Sequence, residues 1–191
     1  MKPIVIAVGA LGLAACSHSP PTSFYTLDPT PAVGEASSAP ATRIQLQAVH
    51  IPAVLDRPQV VSEVAADRLR ISEQDHWGAP LADLIRRALA QDLAARLAPG
   101  LLVLPGAPRP AGARQLVVNI LAFEAGTDGR VRLQASWTLL PAAKSQAPLT
   151  RDVDLIAKQP SSNAKAQAKS MSALLGRLAD QIAATAPVTP N

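Results

Sequence analysis

Arg130-Val131-Arg132-Leu133-Gln134-Ala135-Ser136-Trp137-Thr138-Leu139-Leu140 alternates polar and apolar residues almost without a break. Successive side chains of a strand point to opposite faces of a sheet. Val131, Leu133, Ala135, Trp137 and Leu139 therefore share one buried face, and Arg130, Arg132, Gln134, Ser136 and Thr138 a solvated one. Upstream, Gly126-Thr127-Asp128-Gly129 is a hairpin turn. Before it, residues 115–124 alternate Leu116, Val118, Ile120 and Ala122 against Val117, Asn119, Leu121 and Phe123. Both sets are largely apolar, which places that strand in the middle of the sheet. Downstream, residues 145–148 turn the chain and Thr150 to Ile156 forms the next strand of the meander.

Further out, the period changes from two to 3.6. Ser161-Ser162-Asn163 offers an N-cap, and Ala164, Ala168, Met171, Leu174, Leu175, Leu178 and Ile182 then form one helical stripe that frays at Ala186-Pro187. A second helix opens at Trp77-Gly78-Ala79-Pro80, where proline suits a first turn that needs no N–H. Its stripe is Leu81, Leu84, Ile85, Ala88, Leu89, Leu93 and Leu97, with Asp83, Arg86, Arg87 and Gln91 opposite, and Pro99-Gly100 ends it. The remaining strands are read at Phe24–Leu27, Arg43 to Pro52, Gln59–Val64, Arg68–Ser72 and Leu101–Leu104. In the second of these Ile44, Leu46, Ala48 and His50 share a face. Gln59–Val64 and Arg68–Ser72 pair across an Ala-Ala-Asp turn, and a loop rich in Pro, Ala and Ser runs from Asp28 to Ala41. The expected fold class is α+β, an antiparallel or mixed β-sheet with two principal helices packed on it.

The amino terminus is a different kind of segment. Lys2 precedes an apolar run of about 13 residues, where a membrane span needs about 20. It closes on Leu13-Ala14-Ala15-Cys16, which resembles the lipobox of bacterial lipoproteins. The resemblance implies residues 1–15 as a lipoprotein signal peptide, lipidation of Cys16, a tether over 16–23, a domain over 24–186 and a disordered tail over 187–191. In Gram-negative lipoproteins an Asp after the cysteine commonly signals inner-membrane retention, so Ser17 points to the outer membrane.

Composition excludes several classes. Of 18 Lys and Arg only Lys2 lies in the signal segment, leaving 17 basic against 14 acidic side chains, a net of +3 without any block of five like charges. With few aromatics (Phe24, Tyr25, Trp77, Phe123, Trp137), neither an electrostatic footprint nor a stacking platform for nucleic acid is present. Cys16 is the only cysteine, so no intramolecular disulfide can form. His18, His50 and His76 share no metal-ligand spacing, and the glycines form no phosphate loop. Asp75-His76 could pair a base with its orienter, but no Ser or Cys nucleophile sits in an elbow. Asp152 with Asp154, Arg86-Arg87, and Lys165 with Lys169 read as solvated faces. The expectation is a protein with no catalytic residues, no metal and no cofactor beyond the covalent lipid.

Phe24-Tyr25-Thr26-Leu27-Asp28, then residues 51–61 (Ile-Pro-Ala-Val-Leu-Asp-Arg-Pro-Gln-Val-Val), then His76-Trp77-Gly78-Ala79-Pro80-Leu81 occur in an order and spacing that resemble the ABC-type transport auxiliary lipoproteins, the PqiC/YmbA-like family. Gly78 departs from that family's common Trp-Ala-x-Pro-Leu. The resemblance implies an outer-membrane-anchored periplasmic lipoprotein that docks or assists an ABC/MCE-type lipid transport system supporting membrane integrity. Its partners would be an MCE-domain protein and an inner-membrane permease and ATPase, with the lipoprotein itself a homo-oligomer and phospholipid a candidate ligand. Leu55, Asp56, Arg57, Pro58, Trp77 and Pro80 are the expected partner contacts, because prolines and an aromatic make rigid anchors. The competing view makes the prolines strand terminators and Trp77 packing beneath the first helix. A regulator of a cell-wall synthase and a stand-alone lipid carrier are the alternative functions.

Overall fold

The computed structural model describes residues 21–32, 42–143 and 146–185. The signal segment 1–15, Cys16, most of the tether, the loop from residue 33 through Ala41, Ser145 of the turn at 145–148, and the chain from Ala186 through the 187–191 tail lie outside the described residues. Eight strands and two helices follow in the order β1 (Ser23–Tyr25), β2 (Ile44–His50), β3 (Gln59–Ala65), β4 (Arg68–Trp77), α1 (Leu81–Arg96), β5 (Leu102–Val103), β6 (Arg114–Ala125), β7 (Arg130–Leu140), β8 (Leu149–Lys158) and α2 (Ala164–Thr185). One mixed sheet contains all eight strands, so the α+β class with two helices holds. The first strand begins at Ser23 and stops before Leu27, which instead drops into the core.

β6 is the axis of the sheet. One of its edges pairs antiparallel with β7 from Gln115↔Leu140 to Ala125↔Val131, and β8 continues that meander. The other edge is shared: β2 runs parallel to it over Ile44↔Arg114 to His50↔Asn119, and β3 meets it in parallel at Ser62↔Ala125. Between these two contacts the chain swings away through residues 51–58. β4 then extends the sheet antiparallel to β3, and β1 lies parallel on the far side of β4.

β7 buries Val131, Leu133, Ala135, Trp137 and Leu139, as its alternation requires. Two neighbouring strands change face partway, against the alternation expected for them. The register slips between Leu46 and Ala48 in β2, so Val49 packs against the core and His50 is exposed rather than sharing the face of Ile44. It slips again between Ile120 and Ala122 in β6, so Phe123 and Ala125 join Leu116, Val118 and Ile120 inside. A bulge inserts one residue against a partner strand and reverses every face beyond it.

α1 and α2 lie on the inner face, and their predicted stripes are buried in full. Asn163 is the N-cap of α2, its Oδ1 accepting the Ala166 N–H at 2.8 Å. The two helices meet around a polar pin. The Thr30 N–H donates to Asp92 Oδ1 at 2.7 Å, and Arg96 donates to Asp92 Oδ1 at 3.2 Å and to Asp180 Oδ1 at 2.5 Å. Thr30 fits against Gly176 of α2, where a Cβ would stand 1.9 Å from Thr30 Oγ1. Gly176→Ala should therefore lower stability by about 1–3 kcal/mol through overpacking, despite alanine's better helix propensity. Urea unfolding checks this, and removing the obstruction with Thr30→Ala should recover part of the loss.

Candidate functional site

Residues 51–58 and 77–80 are far apart in sequence but adjacent in the fold, because β3 and β4 form one hairpin whose open end joins both segments. The Trp77 N–H donates to Pro58 O at 2.7 Å and closes that end. Pro52 leads into a tight double turn, with Leu55 N–H donating to Pro52 O at 2.9 Å and Asp56 N–H to Ala53 O at 3.2 Å. On the other segment, Gly78 N–H donates to Tyr25 O at 2.8 Å, tying the turn before α1 to β1. A Cβ on Gly78 would meet that carbonyl at 3.4 Å, an ordinary contact, so the turn would also accept alanine there.

The outcome is a depression of about 300 Å³ lined by Asp56, Arg57, Pro58, Trp77, Ala79 and Pro80. Five of the six residues expected to meet a partner are thus brought to one place, and the sixth, Leu55, anchors the loop behind them. Their roles differ. Leu55 is 3% exposed and Trp77 4%, so both belong to the hydrophobic core and hold the surface from beneath. Asp56, Pro58, Ala79 and Pro80 are the exposed members. Arg57 is half-buried, and its Nε is enclosed without a hydrogen-bond partner among the described residues. The packing role considered for Trp77 is what the geometry shows.

A larger hollow of about 490 Å³ lies between the β3–β4 hairpin and the start of α2. Ser62, Glu63, Arg70, Asp75, Asn163 and Gln167 are among its walls. Charges of both signs and several amides make it a poor seat for an acyl chain. Nearby, burial raises the Glu124 carboxyl above the ordinary glutamate range; the Phe123 N–H opposes that shift and the Glu63 charge adds to it.

Asp75 does not orient His76. Its carboxylate accepts the Tyr25 hydroxyl at 3.0 Å and the Ser72 hydroxyl at 2.8 Å, while His76 stands edge-on to Phe24 with ring centroids 5.9 Å apart. Asp154 is held by Arg132 across β7 and β8, and Arg86 by Asp83 on the surface of α1. Among the described residues no group of His, Cys, Asp and Glu has the arrangement of a metal site, and no helix is long and apolar enough to cross a membrane.

Sequence reading missed the buried pair Asp92 and Arg96. A signal existed: the two are four residues apart and flank Leu93, so neither falls cleanly on the solvent face.

Comparison with known proteins places the sequence in one family. The sequence model of the ABC-type transport auxiliary lipoprotein component fits residues 25–183. The chain is 29% identical over 143 residues to the intermembrane transport lipoprotein PqiC of Escherichia coli (strain K12), covering 73% of this chain and 74% of the relative. PqiC of Shigella flexneri gives the same figures. Among solved structures, an uncharacterised protein superposes with a TM-score of 0.71 at 23% identity, covering 87% of this chain and 99% of the other. Protein XCC0632 from Xanthomonas campestris superposes with a TM-score of 0.67 at 13% identity, covering 85% and 93%. Those two likenesses concern the fold.

Proposed function

The chain belongs to the ABC-type transport auxiliary lipoprotein component family, and on that footing we propose that it is the docking subunit of an envelope lipid transport system. In this reading Cys16 carries the acyl chains, the anchor lies in the outer membrane, and the domain faces the periplasm. Its partner is an MCE-domain protein linked to an inner-membrane permease and ATPase, and it acts as a homo-oligomer. The family is one of transport auxiliaries, which is not an enzyme class. The relatives named intermembrane transport lipoproteins support a role between two membranes.

The observation that carries the docking role is the depression where Asp56, Arg57 and Pro58 meet Ala79 and Pro80. Two segments that carry prolines and are held by backbone hydrogen bonds lose little entropy on binding. A stand-alone carrier would need a mostly apolar cavity, which the mixed walls of the larger hollow do not favour.

Affinity capture of the full-length lipoprotein from crosslinked envelopes tests the reading. Recovery of an MCE-domain protein is expected. Asp56→Ala/Arg57→Ala should reduce that recovery at least tenfold, which corresponds to about 1.4 kcal/mol, while leaving the unfolding free energy from urea titration within about 0.5 kcal/mol of wild type. Undiminished recovery with the double variant would remove this surface from the interface. Recovery of a cell-wall synthase alone would overturn the transport assignment.

A further inference from the structure

We propose that the tip of the β3–β4 hairpin, Arg68-Leu69-Arg70-Ile71, rests on the surface of a zwitterionic phospholipid bilayer. This builds on the lipid anchor at Cys16 proposed above and specifies which side of the domain meets the membrane. The first observation is direction. β1 pairs with β4 in parallel, Ser23 opposite Asp75 and Tyr25 opposite Trp77. The chain that precedes Ser23 therefore arrives from the amino-terminal end of β4, which is the hairpin tip.

The second observation is length. Cys16 precedes Ser23 by seven residues, and Arg68 precedes Asp75 by seven. Each stretch spans about 23 Å when extended at about 3.3 Å per residue. A tether drawn out along β4 brings the lipidated cysteine level with the tip, so the bilayer that holds the acyl chains meets the tip at the same height.

The third is the chemistry of the tip. Leu69 is 41% exposed and Ile71 46%, and they alternate with exposed Arg68 and Arg70. Alternation along a ribbon puts the aliphatic chains on one face and the guanidiniums on the other. Apolar groups at the acyl boundary and arginines beside phosphates are the pattern of an interfacial contact. Glu63, Asp67 and Glu73 accompany the two arginines, so net charge does not drive the contact and no anionic lipid is required.

The test uses full-length lipoprotein reconstituted into phosphatidylcholine vesicles that contain spin-labelled lipid. An environment-sensitive fluorophore is placed by Ala66→Cys at the tip, or by Arg109→Cys in the loop between β5 and β6. Quenching is expected to be several-fold stronger at the tip, and Leu69→Asp/Ile71→Asp should abolish the difference while the protein still floats with the vesicles. Equal quenching at both positions in floated protein would overturn this orientation alone, as would a difference untouched by the double aspartate variant. Protein that fails to float would overturn the anchor and, with it, this orientation.

Discussion

Arg96→Met is expected to destabilise the domain by about 3–5 kcal/mol, the usual loss when one member of a buried ion pair is removed. Methionine keeps the packing of the arginine stem, so little of that loss comes from a cavity. What remains is Asp92, fully buried and without its cationic partner. Burial already raises the Asp92 carboxyl above the usual aspartate range; the Thr30 hydrogen bonds and the Arg96 charge oppose that, and Asp180 adds to it. Without Arg96 the carboxyl moves further up. A group whose folded pKa lies above its unfolded value contributes stability below the unfolded pKa that is lost as pH rises through the folded one. The deficit of the variant should therefore be largest at neutral pH and should shrink in mildly acid buffer, where Asp92 takes up a proton. Asp92→Asn retains an oxygen for the Thr30 N–H, and Oδ2 has no partner to lose among the described residues. The double variant Arg96→Met/Asp92→Asn should then be more stable than Arg96→Met alone. Simple additivity of the two single losses in urea titrations would mean that the buried charge is not the cause.

This pin also bears on the lipid anchor proposed at Cys16. Thr30 follows β1 by only a few residues, and the Asp28 N–H donates to Ser172 Oγ of α2 at 3.1 Å. The segment that follows β1 is thus fastened to the sheet by that strand and to both helices by Asp28 and Thr30. Force applied at the amino terminus reaches the core through these bonds.

Patterns set by single strands and helices were legible in the sequence. β7 needed only its own alternation, and both helices only their stripes and stops, because those signals depend on residues close in the chain. The bulges in β2 and β6 were not legible: Leu46-Gln47-Ala48 and Ile120-Leu121-Ala122 read as ordinary strand, and the extra residue is defined only against a partner. The parallel pairing of β1 with β4 and of β2 with β6 joins segments with helices or strands between them, and no local pattern encodes it. The two loop segments of the candidate site were found by their prolines and aromatic. Their meeting point depends on the β3–β4 hairpin, which the Ala-Ala-Asp turn had indicated.

Trp77→Ala should be nearly as damaging as Arg96→Met, at about 3–5 kcal/mol, because a Trp 4% exposed is removed from the core and leaves a cavity at the root of α1. That size of loss makes the alanine variant a poor test of partner contact, since unfolded protein would also fail to assemble. Trp77→Phe distinguishes the two roles. Phenylalanine retains most of the apolar contact, and the Trp77 N–H bond to Pro58 O is a backbone bond that survives any side chain. If Trp77 supports the depression from beneath, Trp77→Phe should unfold at lower urea than wild type yet still capture the partner when folded. Asp56→Ala/Arg57→Ala should show the reverse, near-normal unfolding with lost capture. A Trp77→Phe protein that is folded and captures nothing would move the indole itself into the interface, and the partner would then have to reach past Pro58 and Pro80 to touch it.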